Sequence, residues 1–113
     1  MLRKFLSSLK HARRGLKTIF FSERNFRNHL SIAIVVLLFA WWRKIDLDHW
    51  LILLLVIALV LILEIINSSL ERLVDILAPQ THQVAKEIKD SMAAMVLVAA
   101  MMAVLVGIII FFF

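Results

Sequence analysis

Residues 50–75 read WLILLLVIALVLILEIINSSLERLVD. No charge interrupts Trp50 to Leu63, and then Glu64, Asn67, Glu71 and Asp75 follow within the same helical pattern. At 1.5 Å per residue the uncharged part covers about 21 Å. The hydrocarbon layer of a bilayer is about 30 Å thick. Glu64 is therefore expected at the inner edge of the apolar layer, with the later residues climbing into water. At 100° per residue, Asn67, Ser68, Glu71 and Asp75 return to the face of Glu64. The opposite face carries Ile62, Ile66, Leu73 and Leu77. A carboxylate at membrane depth is expensive, which makes Glu64 a functional candidate. For Asn67 and Ser68 the simpler reading, hydrogen bonds between helices, is the stronger one.

Composition agrees with a membrane setting. The 113 residues are 63% hydrophobic, with two Gly and one Pro. A soluble domain of this size has too little interior to hide that much apolar side chain. The absence of cysteine excludes disulfides, thiolate metal sites and thiol redox pairs. The first residues are amphipathic and basic and lack the continuous apolar core of a cleavable signal.

Moving outward, residues 1–21 place Leu2, Phe5, Leu6, Leu9, Leu16, Ile19 and Phe20 at helical spacing among Arg3, Lys4, Lys10, Arg13, Arg14 and Lys17. This is the pattern of a helix lying in the membrane interface. The plainer alternative is a basic amphipathic helix packed on a soluble partner. The apolar run 30–42 becomes long enough to span when extended from Phe26 to Ile45, with Trp41 and Trp42 as interfacial anchors. Pro79 stops the long central helix, and residues 91–113 carry no charge. The expected fold is thus an all-α integral membrane protein with a single domain over 1–113. A surface helix over 1–25 precedes spans over 26–45, 49–77 (with a cytoplasmic extension) and 85–113.

Eight of the thirteen Lys and Arg residues lie in 1–27, two in the first turn (Arg43, Lys44) and three around the second connection (Arg72, Lys86, Lys89). Alternation across spans puts eleven on one side, which is expected to be cytoplasmic. That reading leaves the C-terminus outside, in a multi-pass membrane protein. It also accounts for the net charge of +5 without nucleic-acid binding.

The polar stripe shares its cytoplasmic layer with Glu23 and with KEIKD at 86–90. Two carboxylates seven residues apart, Glu64 and Glu71, stand about 10 Å apart along a helix. One can act as a base within reach of lipid while the other holds a hard cation nearer water. Mg²⁺ takes one or two carboxylates and completes its shell with water and substrate phosphates. Lys86 and Lys89 could neutralise phosphate. No glycine-rich nucleotide loop and no protein-kinase motif set is present.

LEIINSSLERLVD resembles the signature of the small bacterial membrane lipid kinases, the diacylglycerol kinase and undecaprenol kinase family. That pattern is Glu-x-x-Asn-(Thr/Ser)-(Ala/Ser)-(Ile/Leu)-Glu-x-x-(Val/Ile)-Asp, matched by Glu64, Asn67, Ser68, Ser69, Leu70, Glu71 and Asp75. SERNFRNHL (22–30) is similar to the block that closes the family's surface helix, and HQVAKEIKDSMAA (82–94) to the block that opens its third span. Gly15 also fits. The resemblance implies a homotrimer of three-span subunits with composite active sites, transferring the γ-phosphoryl group of ATP to a lipid hydroxyl. It implies Glu64 as general base and Asn67 as an orienting group. It further implies Glu23 and Glu71 as holders of Mg²⁺ with the ATP phosphates, and Asp75, His82, Lys89 and Asp90 along the nucleotide site. Gln80 and Thr81 are weaker candidates there. His29 and His82 favour the undecaprenol branch; the diacylglycerol branch typically has an acidic residue where His29 stands. Diacylglycerol is the alternative acceptor.

Two readings of other classes compete. A small ion-coupled transporter would use Glu64 as its binding carboxylate, but leaves the stripe beyond the membrane without a role. A non-catalytic membrane scaffold would bind no ATP.

Overall fold

The computed structural model describes residues 1–78 and 83–113. These form four helices: α1 (Leu2–Ser22), α2 (Arg24–Arg43), α3 (Leu47–Leu77) and α4 (Gln83–Phe112). Of the proposed nucleotide-side residues, His82, Gln80 and Thr81 lie outside the described residues, as does Pro79.

Glu23 alone separates α1 from α2, with an extended backbone (φ −112°, ψ 108°). Residues 24 and 25, read from the sequence as the tail of the surface helix, instead open α2. The corner is held by Arg27, whose Nη1 donates to the carbonyls of Phe20 at 2.7 Å and Phe21 at 3.1 Å. Helices end with carbonyls that have no partner of their own, and a guanidinium from the next helix satisfies two of them here. Lys44 ends α2 in the left-handed region (φ 53°), and its N–H reaches back to the carbonyls of Ala40 and Trp41.

The helices meet along seams with a seven-residue repeat. Buried positions are Phe26, Ala33 and Ala40 on α2, Leu53 and Val60 on α3, and Ala85, Met92 and Ala99 on α4. A sustained seven-residue repeat keeps one stripe facing its partner when helices cross at a small left-handed angle. Alanine at four of these eight seam positions lets the backbones approach closely, which is how helices associate where lipid removes the hydrophobic drive. At the end where α2 finishes, Arg43 donates to the Phe111 carbonyl at 3.2 Å, and the rings of Phe39 and Phe111 stand 4.9 Å apart.

Outside these seams much of the exposed surface of α2, α3 and α4 is apolar. Leu55 is 71% exposed and Val104 61%. Ile62, Ile66, Leu73 and Leu77 are exposed as well, so the apolar face opposite the polar stripe points outward. α3 and α4 are long and apolar enough to cross a membrane. α2 has 20 residues but opens with Arg24, Arg27 and His29. Its uncharged part, 30–42, covers only about 20 Å. α1 buries none of its residues, and both its apolar and basic faces are open.

Candidate functional site

The buried face of α3 changes character at Glu64. Leu53 and Val60 occupy it before that point; Glu64, Asn67 and Ser68 occupy it after. Glu64 is 3% exposed and Ser68 2%. The polar stripe is therefore turned into the helix seam and away from the surroundings. Such burial is costly unless each group finds a partner.

Glu64 faces α2. Its Oε2 lies 3.1 Å from Nδ1 of His29. His29 and Phe26 are three residues apart, so the histidine sits on the seam side of α2, one turn along. Neither His29 Nδ1 nor Asn67 Oδ1 makes a well-aligned hydrogen bond, although both atoms are buried. Buried polar atoms without partners are uncommon and point to a site that handles polar groups. Here the two flank one carboxylate.

His29 also lines a cavity of about 400 Å³ between α2, α3 and α4. Its other walls are apolar and include Ala33, Val60, Ala103, Ile108 and Phe111. The cavity runs from the level of His29 and Val60 to the opposite end of the bundle at Phe111. One end of an apolar groove is thus lined by His29, the neighbour of the buried carboxylate, an arrangement that suits a mostly hydrophobic molecule with a polar end.

From Glu64 the stripe leads outward. Glu71 is partly buried one turn beyond Asn67, and Asp75 is exposed. Asp75 accepts a charge-assisted hydrogen bond from Lys89 Nζ, which joins α3 to the start of α4. Asp90 is exposed beside it in sequence. Glu23 is brought to the same layer by Arg72, which lies 3.4 Å from Glu23 Oε1 and also donates to Ser22 Oγ. The sequence-predicted residues therefore fall in three places: Glu64 and Asn67 buried with His29, Glu23 beside Arg72, and Asp75 with Lys89.

Among the described residues no group of three or more His, Cys, Asp or Glu side chains gathers as a metal site. Glu23 and Glu71 nevertheless suit Mg²⁺ chemically, since this ion needs only one or two carboxylates besides phosphates and water. Arg72, adjacent to Glu71, holds Glu23 within that layer.

Two neighbours were not foreseen as part of the site. His29 was read as a mark of family branch, and Arg72 only as a topology charge. The spacing 26, 29, 33 on α2 carries the His29 signal, because it repeats the helical period of a seam. Nothing local marks Arg72 as the partner of Glu23, 49 residues away.

Known proteins resemble this sequence over almost the whole chain. The profile of the family described as prokaryotic diacylglycerol kinase matches residues 10–111. An undecaprenol kinase of Bacillus subtilis is 34% identical over 97% of this chain and 89% of its own length. A diacylglycerol kinase of Synechocystis is 38% identical over 90% of this chain and 59% of its own length. The diacylglycerol kinase of Escherichia coli K12 is 28% identical over 90% of this chain and 84% of its own length.

Proposed function

The chain belongs to the prokaryotic diacylglycerol kinase family, and on that premise we propose that it transfers the γ-phosphoryl group of ATP to a membrane lipid alcohol, with diacylglycerol the leading acceptor. Family membership makes it a phosphotransferase acting on a hydroxyl-bearing lipid. The observation that carries the proposal is the position of Glu64, buried on the seam at the head of the polar stripe and 3.1 Å from the histidine that lines an apolar groove.

A general base must come within hydrogen-bond reach of the proton it takes. Glu64 lies at the depth where the hydroxyl of a bilayer-anchored lipid arrives. As the oxygen bonds to the γ-phosphorus, Glu64 accepts its proton and ADP departs. The buried Asn67 amide, one turn away, orients the reacting groups. Glu23 and Glu71 would hold Mg²⁺, and when bound the ion would neutralise charge on the transferring phosphoryl group. Asp75, Lys89 and Asp90 line the nucleotide side, with Lys89 on phosphate; His82 belongs to the same side.

We place the chain in the bacterial inner membrane with α2 as a third span, α1 on the cytoplasmic surface and the C-terminus outside. A bilayer can thin, or flanking side chains can snorkel, to accommodate the short apolar part of α2. The unpaired apolar faces suit a homotrimer with sites shared between subunits.

In the sequence, His29 and His82 favour undecaprenol. The comparisons give diacylglycerol the better support, because the matching family and relatives from Synechocystis, Escherichia coli and Helicobacter pylori carry that name. Undecaprenol stands as the second reading, supported by the Bacillus subtilis relative over 97% of this chain. Competition between the two lipids in mixed micelles with ATP·Mg decides between them. Preferential phosphorylation of diacylglycerol supports the first reading and preference for undecaprenol the second. No turnover on either removes the lipid kinase assignment, and proton uptake into liposomes would then favour a transporter.

A further inference from the structure

We propose that His29 is a positioning residue for the base, holding the Glu64 carboxylate through a hydrogen bond from Nδ1–H to Oε2 and leaving Oε1 free for the lipid hydroxyl. This inference rests on the kinase reading above.

Four observations converge on it. His29 Nδ1 and Glu64 Oε2 are 3.1 Å apart. Glu64 is 3% exposed, so water supplies little of the stabilisation its charge needs. His29 Nδ1 is itself buried and makes no well-aligned hydrogen bond to any group, so a turn of the ring that aims its N–H at the Oε2 already within reach would satisfy both. On α4, the cavity-lining residues Ala100 and Ala103 bring no charged or titratable group toward the pair.

An ionised carboxylate has acceptor atoms only, so the pair attracts only if Nδ1 carries a hydrogen. That places the N–H on the nitrogen facing α3 and fixes the imidazole orientation. The His29 side chain remains 27% exposed, so the ring reaches from the buried carboxylate toward more accessible space. It also forms part of the groove wall, where an entering lipid hydroxyl would pass. The bond to Oε2 therefore selects which carboxylate oxygen meets the substrate.

The chemistry balances without a further reactant. The lipid oxygen bonds to the γ-phosphorus, the bond from that phosphorus to the bridging oxygen of ADP breaks, and the hydroxyl proton passes to Glu64 Oε1. His29 keeps its own proton throughout. Its contribution is to hold the acceptor oxygen still, the role that oriented neighbours play for other functional side chains.

The test compares H29L, H29N and the wild-type chain in detergent with ATP·Mg and the preferred lipid. H29N keeps an N–H close to the position of Nδ1, whereas H29L fills the space without a donor. The expected result is a fall in kcat on the order of 10- to 100-fold in H29L. KM for ATP stays within about twofold, because the nucleotide side is untouched. H29N recovers most of the kcat. Imidazole ¹⁵N NMR supplies a readout independent of turnover, with the His29 nitrogen signals shifting in E64Q. Wild-type kcat in H29L, equal losses in H29L and H29N, or unmoved His29 signals in E64Q would each overturn the proposal. If H29L does not fold, the H29N kinetics and the NMR shift decide it alone. Absence of lipid turnover by the wild-type chain would remove the kinase reading itself and this role with it.

Discussion

The two halves of α3 share one buried face but give it opposite chemistry. Before Leu63 that face packs Leu53 and Val60 against neighbouring helices; from Glu64 onward it buries a carboxylate, an amide and a hydroxyl. The first half stabilises by close contact along alanine-rich seams. The second half accepts the cost of buried polar groups; Asn67 Oδ1 lacks a well-aligned partner, as does Nδ1 of the facing His29 on α2. Proteins break the rule that each choice should favour the fold mainly at functional sites. The comparison therefore separates substitutions that should damage activity from those that should damage stability.

The largest effect is expected from the polar half. Glu64→Gln removes the proton acceptor, and kcat should fall by roughly 10²–10⁴-fold. Its thermal unfolding midpoint should hold or rise, because a buried charge is lost and the side-chain volume is kept. A variant that lost activity and stability together would assign Glu64 to packing and erase the distinction between the halves.

Glu71→Gln should be next, with kcat falling on the order of tenfold or more as charge neutralisation weakens. Titration with Mg²⁺ should then show half-maximal activity at a higher metal concentration. An unchanged Mg²⁺ dependence would remove Glu71 from the metal assignment.

The packing half should show the opposite profile. Ala99→Leu pushes a large side chain into the α4 seam, where Ala99 is 5% exposed. Overpacking of this kind costs about 1–3 kcal/mol. Thermal unfolding in detergent should reveal that loss, with kcat per folded molecule changing less than in Glu64→Gln. A neutral effect would show that the seven-residue seam is loosely packed.

The smallest effect on stability belongs to Lys89→Ala. Its pair with Asp75 is largely open to water, and exposed pairs contribute about 0–1 kcal/mol. The measurable change should instead be a several-fold rise in KM for ATP. Unchanged KM would place Lys89 outside the nucleotide site.

Much of this contrast was legible in the residues. The period of Glu64, Asn67, Ser68, Glu71 and Asp75 defines one face, and Ile62, Ile66, Leu73 and Leu77 define the exposed one. Burial confirms both the inward turn of Glu64, Asn67 and Ser68 and the outward turn of those four apolar residues. The seams of α2 and α4 were harder to read. In a chain where almost every span residue is apolar, Ala33, Ala40, Met92 and Ala99 carry no contrast with their lipid-facing neighbours. Side-chain size marks those seams, whereas hydropathy does not. The His29–Glu64 contact joins positions 35 residues apart, and only the packing of α2 on α3 brings them together. The short uncharged part of α2 likewise separates it from α3 and α4, which meet the length and composition of a span without extension.

The central claim is that Glu64 takes the proton of a lipid hydroxyl during transfer from ATP. The direct measurement is single-turnover transfer of labelled γ-phosphate to diacylglycerol by wild type and Glu64→Gln, with ATP·Mg binding titrated on the same samples. The account predicts at least about a hundredfold slower transfer in the variant with ATP·Mg affinity preserved. Transfer at the wild-type rate by Glu64→Gln would contradict it.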